Sequence, residues 1–112
     1  LEPLTDAERS DVNKVRGCAS QVWLVRQTGD GTDPVLSFRG DSDAHIVRGL
    51  IAILLALYSG KPASTIRDID AEGEFSKIGL RDHLTAQRSN GLSSMINRIR
   101  GDAEHILQAR SA

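Results

Sequence analysis

The sequence predicts a mixed α/β domain of the α+β kind, in which a small antiparallel β-sheet packs against helices. Three observations carry this. Gln21 to Gln27 and Val35 to Arg39 are rich in β-forming residues, and the first alternates Val22 and Leu24 against Trp23 and Val25. Between them, Gly29-Asp30-Gly31-Thr32-Asp33-Pro34 is a turn cluster. After them, Ile46, Val47, Leu50, Ile51, Leu54, Leu55 and Tyr58 recur at helical spacing. A lone hairpin is marginal in water, so the pair needs a third strand or a covering helix, and the next segment is the nearest cover.

Length and composition bound the rest. The chain of 112 residues is one domain, long enough to bury a single core. Hydrophobic content of 39% and charged content of 26% are those of an ordinary soluble globular protein. A net charge of −1 gives no reason to expect nucleic acid or an anionic membrane as partner. The longest apolar run, Gly49 to Tyr58, is about half of what spans a bilayer, and no signal peptide is visible in the residues from Leu1, so none is expected. A free thiol suits a reducing compartment, so the expected location is the cytoplasm.

Each element has its own local reason. Thr5-Asp6-Ala7-Glu8 has capping-box spacing and predicts a short helix from Asp6 that ends before Val12. Val12 to Gly17 reads as a linker or extended segment. After the hairpin, Asp41-Ser42-Asp43 offers N-cap candidates and early negative charge for the central helix. Ile53 and Leu57 widen its apolar stripe until little polar face remains, which predicts a mostly buried helix. Ser59-Gly60 stops it, with Gly60 suited to the C′ position, and Pro62 suits the first turn of a short helix through Ile66. Asp70 to Gly79 predicts a further short helix with Phe75 and Ile78 facing inward. Leu80 to Gly91 reads as a loop. A last helix is expected from Leu92 to about Ala109, with Leu92, Met95, Ile96, Ile99, Ala103, Ile106 and Leu107 on one face. Trp23 is expected in the core.

Chemistry converges on one residue. Cys18 is the only cysteine, at a Gly-marked turn that runs into the first strand. It cannot form an internal disulfide, and it cannot by itself hold zinc or an iron–sulfur cluster. It is either a small core hydrophobe or a single reactive thiol. Lys14 and Arg16 lie close in sequence and would favour the thiolate if their side chains point toward it. His45, His83 and His105 share no metal-ligand spacing with one another or with Cys18, so no metal or organic cofactor is expected.

Four segments together resemble the SufE-like family, sulfur acceptors that work with cysteine desulfurases in iron–sulfur cluster assembly. They are Gly17-Cys18-Ala19-Ser20-Gln21-Val22-Trp23-Leu24, Gly40 through Ala52, Leu57-Tyr58-Ser59-Gly60, and His83 through Leu92. Their order and spacing fit, and they span nearly the whole chain. The resemblance implies a small antiparallel sheet packed on helices, similar to the IscU-type cluster scaffolds. Those scaffolds need several ligating cysteines, and this chain has one, so it is not expected to hold a cluster alone. Family members carry a further N-terminal helical segment, so residues 1–112 are expected to form a single SufE-like domain with that segment missing or trimmed.

The implied partner is a cysteine desulfurase, with a cluster scaffold as a downstream acceptor, and the implied reaction is transpersulfidation onto Cys18 with stimulation of the desulfurase. An exposed persulfide would be lost to reductants and oxidants, so Cys18 is expected on a loop that tucks its sulfur under apolar cover and swings out toward the partner. Arg88, just before the expected last helix, is either a solvated surface residue or a cation that supports the Cys18 thiolate or docks the partner. Asp43 is either a helix cap or a polar neighbour of the Cys18 loop and partner contact. His83 falls within a family motif and joins the candidates. Two other functions compete: a cysteine-dependent hydrolase using Cys18 with His45 or His83 as base, and a non-catalytic adaptor with a structural cysteine.

Overall fold

A computed structural model describes residues 2–111. The hairpin forms as expected, with strand β1 (Val22–Thr28) antiparallel to β2 (Val35–Ser42) and Leu24 opposite Gly40. The third strand is β3 (Lys61–Pro62), which pairs antiparallel with β2 at Val35 and Leu36, giving the order β1-β2-β3. It is brought there by the turn that ends the central helix. Gly60, with a positive φ of 80°, donates its N–H to the Leu36 carbonyl at 2.8 Å, and Phe38 N–H donates to Ser59 Oγ at 2.8 Å. The resulting architecture is mixed α+β, with a three-stranded antiparallel sheet and helices packed on it.

Helix α1 (His45–Tyr58) lies on the sheet through Val47, Leu50, Ile51, Leu54 and Tyr58. Gly40 makes the approach close. A Cβ built there would fall 2.7 Å from Ile51 Cγ2 and 2.8 Å from Leu24 Cδ2, so only glycine fits between helix and strand. The short helices α2 (Ala63–Asp68) and α3 (Ala71–Ser76) follow, and Asp70 caps α3 by accepting from Gly73 N–H at 3.0 Å. A 3₁₀ turn (Leu80–His83) leads into the long helix α4 (Ala86–Arg110), whose Leu92, Met95, Ile96, Ile99, Ala103 and Ile106 complete the core.

The structure corrects several sequence expectations. Residues 6–11 are turns, not helix, although the capping-box bonds form, with Thr5 N–H to Glu8 Oε1 at 3.0 Å and Glu8 N–H to Thr5 Oγ1 at 3.2 Å. Ion pairs divert this segment onto the outer face of the sheet: Glu8 with Arg39, and Arg9 with Asp41. A helix this short has little cooperativity with which to resist. Asp41 and Ser42 belong to β2 rather than to a helix cap, and Ala44 occupies the N-cap of α1 with no side-chain bond. α1 is amphipathic rather than mostly buried. His45, Ile46, Gly49, Ala52, Ile53 and Ala56 share its open side, with Ile46 54% and Ile53 38% exposed. α3 ends before Ile78, which is 61% exposed. Trp23 is half-buried on the outer face of the sheet, because Val22 and Leu24 take the core side. Asn13 to Val15 are a short edge pairing rather than a free linker, with Val15 N–H to the Val22 carbonyl and Leu24 N–H to the Asn13 carbonyl, both at 2.8 Å. The last helix begins at Ala86, within the stretch expected to be loop.

Two stability predictions follow from this packing. Leu54 is 1% exposed against the sheet, so Leu54→Ala is expected to cost about 2–5 kcal/mol in chemical denaturation. Asp41 is buried, which alone would raise its pKa. The Arg9 hydrogen bond, the Ser42 N–H bond and the charges of Arg48 and Arg9 outweigh this and hold it below the usual carboxylate range. Arg48 Nε lies 3.0 Å from the carboxylate as an ion pair without hydrogen-bond alignment. A depressed folded pKa contributes stability above the unfolded carboxylate range, and that stability disappears as pH falls through the folded value. Acid titration of unfolding should therefore show a loss below about pH 4 that is smaller in Asp41→Asn.

Candidate functional site

The thiol sits where the two ends of the fold meet. Residues 16–21 form a loop between the edge pairing at Val15 and the start of β1. Gly17, at φ 84°, turns the chain so tightly against α4 that a Cβ would lie 2.6 Å from Ser94 Oγ, and Ser94 Oγ donates to the Gly17 carbonyl at 3.4 Å. The turn points Cys18 at α4, where its S–H donates to the Gly91 carbonyl at 3.6 Å. Gly91 leaves room for the sulfur, since a Cβ there would stand 3.7 Å from Sγ.

Beside the sulfur is a cavity of about 230 Å³. One wall is apolar, formed by Val47 and Leu50 of α1 and Met95 of α4. The rim is polar, formed by Thr85, Gln87 and Arg88 at the start of α4, and Ala19 and Ser20 complete it. The space is several times the ~30 Å³ share of one water, so a further heavy atom on Cys18 would fit. Burial pushes the Cys18 thiol above its ordinary pKa, because an apolar wall solvates a thiolate poorly. The cationic help expected from sequence neighbours does not set this value. Neither Lys14 nor Arg16 lines the cavity. The resting group is a shielded, protonated thiol.

The sequence-selected residues separate around this cavity. Arg88 lies on its rim, exposed, in the first turn of α4, with its N–H donating to the Thr85 cap at 3.2 Å. Asp43 does not cap α1. Its Oδ1 accepts from Gln21 N–H at 3.0 Å and its N–H donates to the Gln21 carbonyl at 3.3 Å, so it anchors the exit of the Cys18 loop. His83 is exposed at the end of the 3₁₀ turn, and neither His83 nor His45 lines the cavity. Among the described residues, no three His, Cys, Asp or Glu side chains come together as a metal donor set, and no helix is long and apolar enough to cross a membrane. Sequence reasoning missed the cavity's Val47, Leu50 and Met95, which it could see only as core stripes, and Thr85 and Gln87, which it placed in a loop.

Fold and site together define a small α+β domain built around one shielded thiol, a class in which any sulfur chemistry falls to a single cysteine. The family model SufE, described as an Fe-S metabolism associated domain, matches residues 1–103. The chain belongs to the SufE family, and so is associated with iron–sulfur metabolism. An uncharacterised SufE-like protein of Rhizobium meliloti (strain 1021) is 59% identical over 110 residues, covering 97% of this chain and 79% of the relative. Another, of Rhizobium etli, is 62% identical over 105 residues, covering 93% and 71%.

A raised thiol pKa has a measurable sign. Below the unfolded thiol pKa its contribution to stability is fully present, and it is lost as pH rises through the higher folded value. Alkaline destabilisation above about pH 8.5 should therefore be weaker in Cys18→Ser, and the pH midpoint of Cys18 alkylation in the folded protein should exceed that of the urea-unfolded chain.

Proposed function

We propose that this protein is a sulfur acceptor that takes persulfide sulfur from a cysteine desulfurase onto Cys18, stimulates that enzyme, and passes the sulfur on for iron–sulfur cluster assembly. The observation that carries this reading is the single half-buried thiol beside an apolar cavity with room for a second sulfur, in a chain of a family associated with iron–sulfur metabolism. The SufE-like domain over 1–112 is the unit proposed to act, and a reducing compartment such as the cytoplasm is where a free thiol of this kind persists.

The burial of Cys18 orders the steps. In the cavity the thiol keeps its proton, so it is a poor nucleophile. Swinging toward the rim restores hydration, lowers the pKa toward its ordinary value, and brings the sulfur to the side where Arg88 stands. The proton leaves to solvent. The Cys18 thiolate then attacks the outer sulfur of the donor's persulfide, a new S–S bond forms at Cys18, the donor's own S–S bond breaks, and its cysteine departs as thiolate. There is no net oxidation or reduction. Return to the cavity places the outer sulfur against Val47, Leu50 and Met95, away from reductants and oxidants. With no second cysteine in the chain, no internal thiol can discharge the persulfide as a disulfide.

The hydrolase reading lacks its base, since neither candidate histidine lines the cavity. Mass spectrometry after incubation with a desulfurase and free cysteine is expected to show one added sulfur on Cys18. Cys18→Ser is expected to abolish that gain while keeping the wild-type thermal melt. Undiminished stimulation of the desulfurase by Cys18→Ser would favour the adaptor reading.

Arg88→Ala is expected to slow sulfur acceptance with little loss of stability, because a cation in the first turn of a helix opposes its dipole. A higher alkylation midpoint for Cys18 in that variant assigns the loss to thiolate support. Weaker desulfurase binding at an unchanged midpoint assigns it to docking, and in that case Arg88→Lys rescues poorly because a point charge does not replace a planar fork. Wild-type transfer in Arg88→Ala returns the residue to an ordinary surface role.

A further inference from the structure

We infer that Arg81 is a positioning residue for the Cys18 cavity, holding the first turns of α4 against the Cys18 loop from the far side of the helix; its importance to sulfur transfer rests on the function proposed above. The first turns of α4 read Ala86-Gln87-Arg88-Ser89-Asn90-Gly91. Ser, Asn and Gly are weak helix formers, no acidic residue stands in the first turn, and Arg88 opposes the dipole. Beyond the Thr85 cap, little in the local sequence favours a helix here. Yet this stretch supplies both the polar rim and the carbonyl on which the sulfur rests.

Two attachments on opposite sides compensate. Gly91 and Met95 are one turn apart and face the cavity. Ser89 and Ser93 are also one turn apart, and the offset of two residues, about 200°, places them on the opposite face. There the Arg81 guanidinium is seated. Its Nη1 donates to the Ser89 carbonyl at 2.5 Å and to Ser89 Oγ at 2.7 Å, and its Nη2 donates to Ser93 Oγ at 3.0 Å. Glu72 of α3 holds the guanidinium from behind, with Nε donating to Oε2 at 3.2 Å and Nη2 to Oε1. A planar fork can bridge a carboxylate and two serines on successive turns, whereas an ammonium cannot reach all of them at once. The helix start is thereby clasped between α3 on one side and the Cys18 loop on the other.

Removing the clasp should loosen the rim and expose the thiol without dissolving the core. In Arg81→Ala, amide hydrogen exchange at residues 88–92 is expected to accelerate, while exchange in α1 around Leu54 stays at the wild-type rate. Alkylation of Cys18 by iodoacetamide should speed up on the order of tenfold, the scale set by losing one hydrogen bond to a charged group. Arg81→Lys keeps a charge facing Glu72 but loses the fork, and should share the fast exchange at 88–92; it carries the same test if Arg81→Ala does not fold. Lys77→Ala, which removes an exposed ion pair with Glu74 on α3, serves as the control and should leave both readouts unchanged. Unchanged exchange and alkylation in the Arg81 variants, or equal acceleration at 88–92 and in α1, would overturn the inference. Neither measurement uses a desulfurase or transfers sulfur, so the persulfide experiment and this one can fail separately.

Discussion

The arrangement around the thiol depends on one contact between segments 73 residues apart, the Cys18 sulfur against the Gly91 carbonyl. Neither side makes it alone. The loop is directed by Gly17, whose positive φ and missing side chain let it lie on Ser94. The helix is directed by Leu92, Met95 and Ile99, which fix α4 on the core one turn at a time. At position 17 the positive φ and the closeness of Ser94 Oγ favour glycine, whereas a Cβ at 91 would stand in ordinary contact with the sulfur at 3.7 Å. The apolar wall that desolvates the thiol is a by-product of the same packing, because Val47 and Leu50 are core residues of α1 before they are neighbours of the sulfur.

Polar groups are distributed by a similar economy. Charges cover part of the outer face of the sheet, beside the half-buried Trp23. Glu8 meets Arg39, and Asp41 meets both Arg9 and Arg48. The inner face is left to Val22, Leu24, Leu36 and Phe38. Such pairs contribute modestly when solvated, and the buried Asp41 carboxylate between two guanidiniums is the one placed to contribute more. The same charges explain why the amino-terminal turn is not a helix, since its acid and base are committed to the sheet.

What the sequence made legible was what local pattern determines. Period-two alternation and a Gly/Asp/Pro cluster marked the hairpin, helical spacing marked α1, and Ser59-Gly60 marked its end. What it hid was decided at a distance. Asp41 and Ser42 have the composition of a helix cap, but pairing runs on to Val22 opposite Ser42 and claims them for the strand. The polar start of α4 reads as loop because its residues are weak helix formers. The Cys18 loop packed on it lies 73 residues away at the contact of Cys18 with Gly91, and the nearby Arg81 meets it through side-chain bonds that no periodic pattern shows. Cys18 stood out by being alone at a turn, and Arg88 by its place in a family motif. The apolar wall stayed invisible because a residue lining a cavity and one filling a core look identical in a periodic stripe. His83, chosen from the same motif as Arg88, lies off the cavity because the 3₁₀ turn points away before α4 begins.

The anchoring of the Cys18 loop also sets a radius of action. The loop is pinned at one end where Val15 pairs with Val22, and at the other where Gln21 is held by Asp43. Cys18 stands three residues from either anchor, and a fully extended chain advances at most about 3.3–3.6 Å per residue. While those bonds hold, the Cys18 backbone works as a short lever and not as a long tether, confined to about 10 Å from its anchors, with the sulfur only a side chain's length beyond. A donor whose sulfur lies deeper than that within its own cleft is out of range unless it extends that sulfur outward on a segment of its own. In the sulfur transfer proposed above, the burden of travel therefore falls on the donor.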